Sequence, residues 1–132
     1  MNRILNLGII GESPGNGHPY SWAAIFNGFN KEAMSICPYP VINNYLNDHK
    51  YPNDFIRDAC VSHIWTQNKS SSIKIAQASK IPFIVENLLE LTDKVDAILL
   101  ARDDAENHYN QSKEFIKLGI PIFIDKPLAL SV

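Results

Sequence analysis

Apolar positions along the chain alternate between short continuous runs and stretches spaced every three to four residues. Ile4–Ile10 is almost wholly apolar and closes at Gly11, as in a strand buried on both faces of a parallel sheet. After the Gly- and Pro-rich stretch 11–19, Trp22, Ile25, Phe26 and Phe29 recur at helical spacing and predict a helix with that face inward. Pro19 suits its first turn. Val61–Thr66 and Val95–Ala101 read as further buried strands, and Pro82–Val85 and Pro121–Asp125 as shorter ones. Ser70-Ser71-Ser72 can cap a helix over 71–79, and Glu86–Leu91 reads as a short helix. Asp103 to Glu106 has capping-box spacing and opens a helix ending near Leu118, with Gly119 and Pro121 as its stop.

Residues 31–60 break this rhythm. Pro38, Pro40 and Pro52 interrupt long elements, and Asn43-Asn44 and Asn47-Asp48 favour turns. Short helices are expected near Ile42–Asn47 and Asn53–Ala59. A connection this long usually carries function or structure of its own.

Strands alternating with helices predict an α/β fold with a mostly parallel sheet and right-handed crossovers. Such sheets bind ligands beyond the carboxyl ends of their strands. Four segments share that edge: the loop 11–18, Thr66–Lys69, Ala101–Asp104, and Asp125-Lys126-Pro127.

Composition narrows the functional classes. The 132 residues suit one domain of about 100–200 residues. The net charge of −2 gives no electrostatic case for nucleic acid or an anionic membrane. No apolar run approaches the roughly 18 residues of a membrane span. Met1-Asn2-Arg3 leads directly into a strand, so no secretory signal is read, and a reducing, cytoplasmic setting is expected. The two cysteines, Cys37 and Cys60, form no disulfide framework, and the four histidines show no metal spacing.

The strand ends carry the candidate chemistry. Gly11, Gly15 and Gly17 sit between a strand and a helix start, where bare backbone and the helix N-terminus suit a phosphate. A dinucleotide cradle and a plain wide turn both remain open. Counting from Gly11, a Gly-x-Gly-x-x-Gly loop would have glycine at Ser13 and Asn16, with Glu12 between the first two positions. At the second strand end, Thr66-Gln67-Asn68-Lys69 offers no ribose-binding carboxylate. Thr66 or Asn68 can still bond a ribose hydroxyl, and Lys69 can favour a 2′-phosphate. After Ala101, Arg102 can pair with Asp104 or with a ligand anion, and Asp103 reads first as a helix cap. His108 follows as a neutral hydrogen-bonding group or a packed residue, and His18 can face a ligand from the loop. Pro127 aims Lys126 over the crevice, where it can bind a phosphate or hydroxyl or move a proton, with Asp125 holding it charged.

The run Val95–Ala101, His108, and Leu118-Gly119-Ile120-Pro121 through Asp125-Lys126-Pro127-Leu128-Ala129 resembles the Gfo/Idh/MocA oxidoreductases. The start Leu7-Gly8-Ile9-Ile10-Gly11 is similar too, and residues 31–60 look like an insertion. The family's Glu-Lys-Pro signature stands here as Asp125-Lys126-Pro127. Its strand-end Thr-Pro-Asn is replaced by Asp103, Asp104 and Ala105. The resemblance implies a three-layer Rossmann-like fold and a dinucleotide cofactor, NAD or NADP. The loop from Gly11 to His18 would hold pyrophosphate, and Thr66, Gln67, Asn68, Ala101, Arg102, Asp103, His108, Asp125 and Pro127 would line the rest of the cofactor site. Lys126 would be the catalytic residue, touching nicotinamide ribose and substrate hydroxyl. The family's further catalytic Asp and His belong to a second domain, which also supplies the substrate pocket. Residues 1–132 are therefore expected to be the amino-terminal domain of a longer hydride-transferring enzyme acting on a sugar or cyclitol. Alone it is expected to be inactive, with an exposed, partly apolar face open to homo-oligomer formation.

Two other readings stand beside this one. The altered glycine loop and absent ribose acid suit a binding or regulatory module that has lost its dinucleotide. Tyr39, Tyr45, Tyr51 and Phe55 in the 31–60 segment suit a partner-binding surface.

Overall fold

The computed structural model describes residues 3–131. The Met1-Asn2 start and Val132 lie outside the described residues. Five strands form one all-parallel sheet: β1 (Leu5–Gly11), β2 (Ala59–Thr66), β3 (Phe83–Ile84), β4 (Ala97–Leu100) and β5 (Ile122–Ile124), in the spatial order β3-β2-β1-β4-β5. The helices are α1 (His18–Asn27), α2 (Lys31–Ser35), α3 (Pro40–Asn47), α4 (Lys69–Ala78) and α5 (Ala105–Lys117), with a 3-10 segment at Leu88–Asp93. This is the parallel sheet expected from the alternation, in the Rossmann-like arrangement that the resemblance implies. The strand order reverses direction at β1, which opens a crevice at the carboxyl edge.

The two faces of the sheet have separate cores. Leu7, Ile9, Val61 and Ile64 pack with Tyr20, Ala23, Ala24, Met34, Leu46 and Ile75 from α1 to α4. Ile10, Ile98 and Leu100 pack with Leu91 and Phe115 on the opposite face. Alternate residues of β1 point to opposite faces and both are buried, which is why its sequence reads as a continuous apolar run.

Several local expectations are corrected. The inward face of α1 is Tyr20, Ala23 and Ala24, while Trp22, Ile25, Phe26 and Phe29 are half-buried. Small residues let α1 approach β1 and β2 closely, and the larger ones flank that contact. Asn68 caps α4, not the serine run: its Oδ1 accepts from Ser70 N–H at 2.9 Å. The N-cap position of α5 is Asp104 rather than Asp103, and it makes no side-chain capping bond because its carboxylate is held by Arg102 and Asn107, while that of Asp103 is held by Ser13. Residues 53–58 form turns rather than a helix, and β2 begins at Ala59.

The 31–58 excursion adds α2 and α3 to the first core through Met34, Leu46 and Phe55, while Tyr45 and Tyr51 stay exposed. Its exit and return are joined by Asn27. Asn27 Oδ1 accepts from Val61 N–H at 2.9 Å, and Asn27 Nδ2 donates to Val61 O at 2.8 Å. None of the helices among the described residues is long and apolar enough to cross a membrane.

Candidate functional site

All four strand-end segments meet at the carboxyl edge of the sheet. The β1–α1 loop is drawn onto that edge by its own polar side chains. Ser13 and Asn16, at the positions where a glycine fingerprint has no side chain, are both buried. Ser13 Oγ donates to Asp103 Oδ1 at 2.5 Å and accepts from the Asp103 amide at 3.2 Å. Asn16 Nδ2 donates to Asp125 Oδ2 at 3.1 Å, and Asn16 Oδ1 accepts from the His18 amide at 2.9 Å. Gln67 makes the third attachment, accepting from Glu12 N–H at 3.0 Å and donating to the Glu12 carbonyl at 2.6 Å. The loop that leaves β1 at Gly11 is thus fastened to the ends of β2, β4 and β5.

Two glycines in the loop differ in kind. Gly15 has φ +78° and nothing within 4 Å of where a Cβ would stand, so its backbone is bare to solvent. Gly17 is roofed: a Cβ there would meet Ile42 Cδ1 at 2.4 Å and Tyr39 Cδ2 at 2.8 Å. Tyr39 and Ile42 come from the 31–58 segment, and their position against the loop had no signal in the sequence. Burial, reinforced by the Glu12 charge, raises the Tyr39 phenol above its ordinary pKa and pushes that of Tyr20 up to about 12.

On the β2 side, the groups considered for ribose are occupied within the protein. Thr66 Oγ1 bonds Asn68 O at 2.6 Å and Ser72 Oγ at 2.7 Å. Asn68 is the α4 cap, and Lys69 pairs with Glu86. Ala101 is buried, with its amide on Ile10 O. Of its two open partners, Arg102 takes Asp104: Nε bonds Oδ1 at 2.8 Å, and a second bond joins Nη2 to Oδ2. Its Nη1 also donates to Gln67 Oε1 at 2.8 Å. The guanidinium hydrogen bonds hold the Asp104 carboxyl below the usual range against its burial, helped by Asn107, a contact the sequence reading did not anticipate. His108 is interior. Its Nε2 lies 2.7 Å from Arg102 O and its Nδ1 3.2 Å from Leu128 O, linking the β4 end to the segment after Pro127.

The β5 side is different. A cavity of about 350 Å³ is lined by His18, Asp103, Asp125, Lys126 and Pro127. Asp125 is buried and accepts from His18 Nδ1 at 2.5 Å, Asn16 Nδ2 at 3.1 Å and the Lys126 backbone amide at 2.9 Å. Burial pushes its pKa up, but the His18 and Asn16 hydrogen bonds and the Lys126 amide outweigh that and leave it lowered. Asp125 was expected to hold the Lys126 ammonium. It bonds the Lys126 backbone instead, because its carboxylate is turned inward to the loop. The Lys126 side chain is exposed, with no partner for Nζ among the described residues. The His18 ring stacks on Trp22 with centroids 4.9 Å apart and planes 15° from parallel.

A family model described as an oxidoreductase family with an NAD-binding Rossmann fold, the Gfo/Idh/MocA family, matches residues 39–132. The chain belongs to this family. Within it, the chain is 29% identical over 65 residues to the putative oxidoreductase YceM of Salmonella typhimurium, a match covering 49% of this chain and 20% of that protein. Apo scyllo-inositol dehydrogenase from Lactobacillus casei superposes with a TM-score of 0.61 at 14% identity, over 99% of this chain and 31% of that one. The dehydrogenase MviM from Clostridium difficile gives 0.61 at 23% identity, over 97% and 32%. These solved structures share the fold, and the chain spans about a third of their length. The matched span begins after the β1–α1 loop, which is where this Gfo/Idh/MocA chain carries its self-bonded serine and asparagine.

Proposed function

We propose that the chain is the NAD(P)-binding part of an oxidoreductase that transfers hydride between the cofactor and a sugar or cyclitol hydroxyl or ketone. The observation that carries this is the β5-side crevice, where the Lys126 ammonium has no partner among the described residues and lines a cavity of about 350 Å³ at the carboxyl edge of a parallel sheet. That volume is within the roughly 300–1,000 Å³ of small-molecule sites. The residues present fit the cofactor at two points. The bare backbone of Gly15 is open to a pyrophosphate, and the His18–Pro127 crevice has room and hydrogen-bonding groups for the nicotinamide ribose.

When bound, the nicotinamide ring supplies the hydride donor or acceptor. Lys126 would hold the ribose and the substrate oxygen, and its charge would favour the alkoxide character that develops as hydride leaves. Ser13, Asn16 and Gln67 would keep the loop in its bound shape in advance. The substrate pocket is assigned to a second domain outside these residues. A cyclitol or sugar is favoured because a scyllo-inositol dehydrogenase from Lactobacillus casei, solved with NAD(H) and scyllo-inositol, has the same fold.

Calorimetric titration of NAD(H) and NADP(H) into the chain and into its full-length protein tests this reading. Saturable binding of one pair is expected, and no heat from either pair in both proteins overturns it. A second reading, a module that has lost its dinucleotide, is favoured by the Ser13 and Asn16 side chains filling the glycine positions. It predicts silence toward dinucleotides with retained binding of a sugar or nucleotide.

A further inference from the structure

We infer that the amino edge of the sheet, opposite the dinucleotide crevice, holds a second binding site, for a small aromatic phosphate of the mononucleotide kind; the inference stands independently of the proposed function. Two cavities of about 420 Å³ and 650 Å³ share Tyr51 and Lys80. The first is mainly apolar and takes in Ala59 and Cys60 at the start of β2 and Pro82 just before β3, with Phe26 and Phe55 beside them. The second carries Lys31 and Lys50 together with Lys80. No Asp or Glu among the described residues lines either cavity, although the chain has 14 of them against 12 lysines and arginines. None of the three ammonium groups has a carboxylate partner among the described residues, whereas Lys69, Arg102 and Lys117 each have one. Asp54 bonds the Lys50 backbone amide at 2.8 Å, not its side chain. Three like charges on one cavity repel one another, and a phosphate dianion removes that repulsion.

Lys80 is placed there against the preference of its own backbone. Its φ is +53°, the one positive φ at a non-glycine residue among the described residues. It stands just past Ser79, the C-cap of α4, where the Ile81 amide returns to Ala76 O at 3.0 Å and closes the helix. That position ordinarily selects glycine. A cation serving the helix end alone would stand without strain inside the last turn of α4, which holds no basic residue. At position 80 the ammonium is set where the two cavities meet, and Asn27 Nδ2 holds its carbonyl at 3.2 Å. Tyr51 supplies the other half of the site. Its ring lies over Gly28, where a Cβ would meet Tyr51 Cδ2 at 3.0 Å, and it meets Phe55 edge-on with centroids 5.3 Å apart. Arg57 fixes the turn beside it, bonding Pro52 O at 3.3 Å and Asn53 Oδ1 at 2.9 Å. Tyr51 is held on these sides yet is 56% exposed, which leaves a platform on which a planar ring can stack. A phosphomonoester on the lysines with its ring on Tyr51 uses both cavities at once.

Titration of AMP into the full-length protein tests this, with adenosine and inorganic phosphate alongside, followed by calorimetry and by amide NMR shifts. Expected is saturable AMP binding that shifts the Gly28, Tyr51 and Lys80 amides and is at least about tenfold tighter than that of adenosine or phosphate alone. Lys80→Gly removes the cation and suits the backbone, so AMP binding should weaken at least about tenfold while the unfolding temperature is no lower than the parent's. Tyr51→Leu should weaken AMP and leave inorganic phosphate unaffected. Absence of AMP binding overturns the inference, as does an AMP affinity unchanged in Lys80→Gly. Phosphate binding as tightly as AMP reduces the site to an adventitious ion only and overturns it too. Shifts confined to the loop 11–18 would give AMP to the dinucleotide crevice, and tighter binding of a single-stranded oligonucleotide would make the patch a nucleic-acid surface; each overturns the inference. The NAD(H) titrations report on the opposite edge of the sheet, so either reading can fail alone.

Discussion

The two ends of the carboxyl edge use the same kinds of polar residue to opposite effect. On the β2 side, Thr66, Gln67, Asn68 and Lys69 are each bonded within the protein, and Arg102 reaches them from the β4 end through Gln67. On the β5 side, His18 and Lys126 keep a nitrogen free over a cavity. The difference teaches how a loop with side chains at two fingerprint positions stays folded. Side chains at 13 and 16 need partners once buried. The partners come from strand ends that a glycine loop would leave to a ligand, and the chemistry is pushed to the side where the acid, Asp125, faces inward and the lysine faces out.

Substitutions on each side can break or sharpen this contrast. Lys126→Met should have the largest effect, lowering kcat of the full-length enzyme about 10³-fold while thermal unfolding of the chain stays unchanged. A matching loss of stability would mean that the β5 side is structural as well. Asp104→Ala leaves the buried Arg102 guanidinium without its bidentate partner and should cost about 3 kcal/mol in denaturant unfolding. Gln67→Ala removes both bonds to the exposed Glu12 backbone and should cost about 1 kcal/mol, read by the same unfolding curves. Acid should act through the same groups. Asp104 and Asp125 have folded pKa values below their unfolded ones, so their contribution is full above about pH 4 and is lost as pH falls through the folded values. The share of stability held by these two carboxylates, measured by circular dichroism, should therefore be lost below about pH 4, and Asp104→Asn should flatten that part of the decline. Lys69→Ala, which breaks only an exposed pair with Glu86, should change stability by less than about 0.5 kcal/mol.

The second half of the chain was the more legible. Strand-like runs at 61–66 and 95–101, with glycine and proline stops, led to the parallel sheet, and the four segments picked out beyond its strands do meet at its carboxyl edge. Local signals failed where a partner distant in sequence competes for the same side chain. Asp103 has the spacing of a cap, but Ser13, 90 residues away, takes its carboxylate. Asp125 stands next to Lys126, yet His18 and Asn16 bond it from across the sheet. The face of α1 was misjudged because size was read as burial, whereas the closest helix–sheet contact selects alanine. Gln67 was singled out with its neighbours, but nothing in its context signalled that its amide would lie against the Glu12 backbone.

The roof over Gly17 ties two stretches of sequence into one heritable unit. With the Tyr39 ring and the Ile42 methyl standing where a Cβ would be, position 17 can acquire a side chain only if the 39–42 turn moves away. Relatives that keep Tyr39 and Ile42 over this loop should therefore keep glycine at 17, and those without them should be free to vary there. The segment of α2 and α3, whose two ends meet at Asn27 and Val61, thereby constrains the start of a helix that precedes it in the chain.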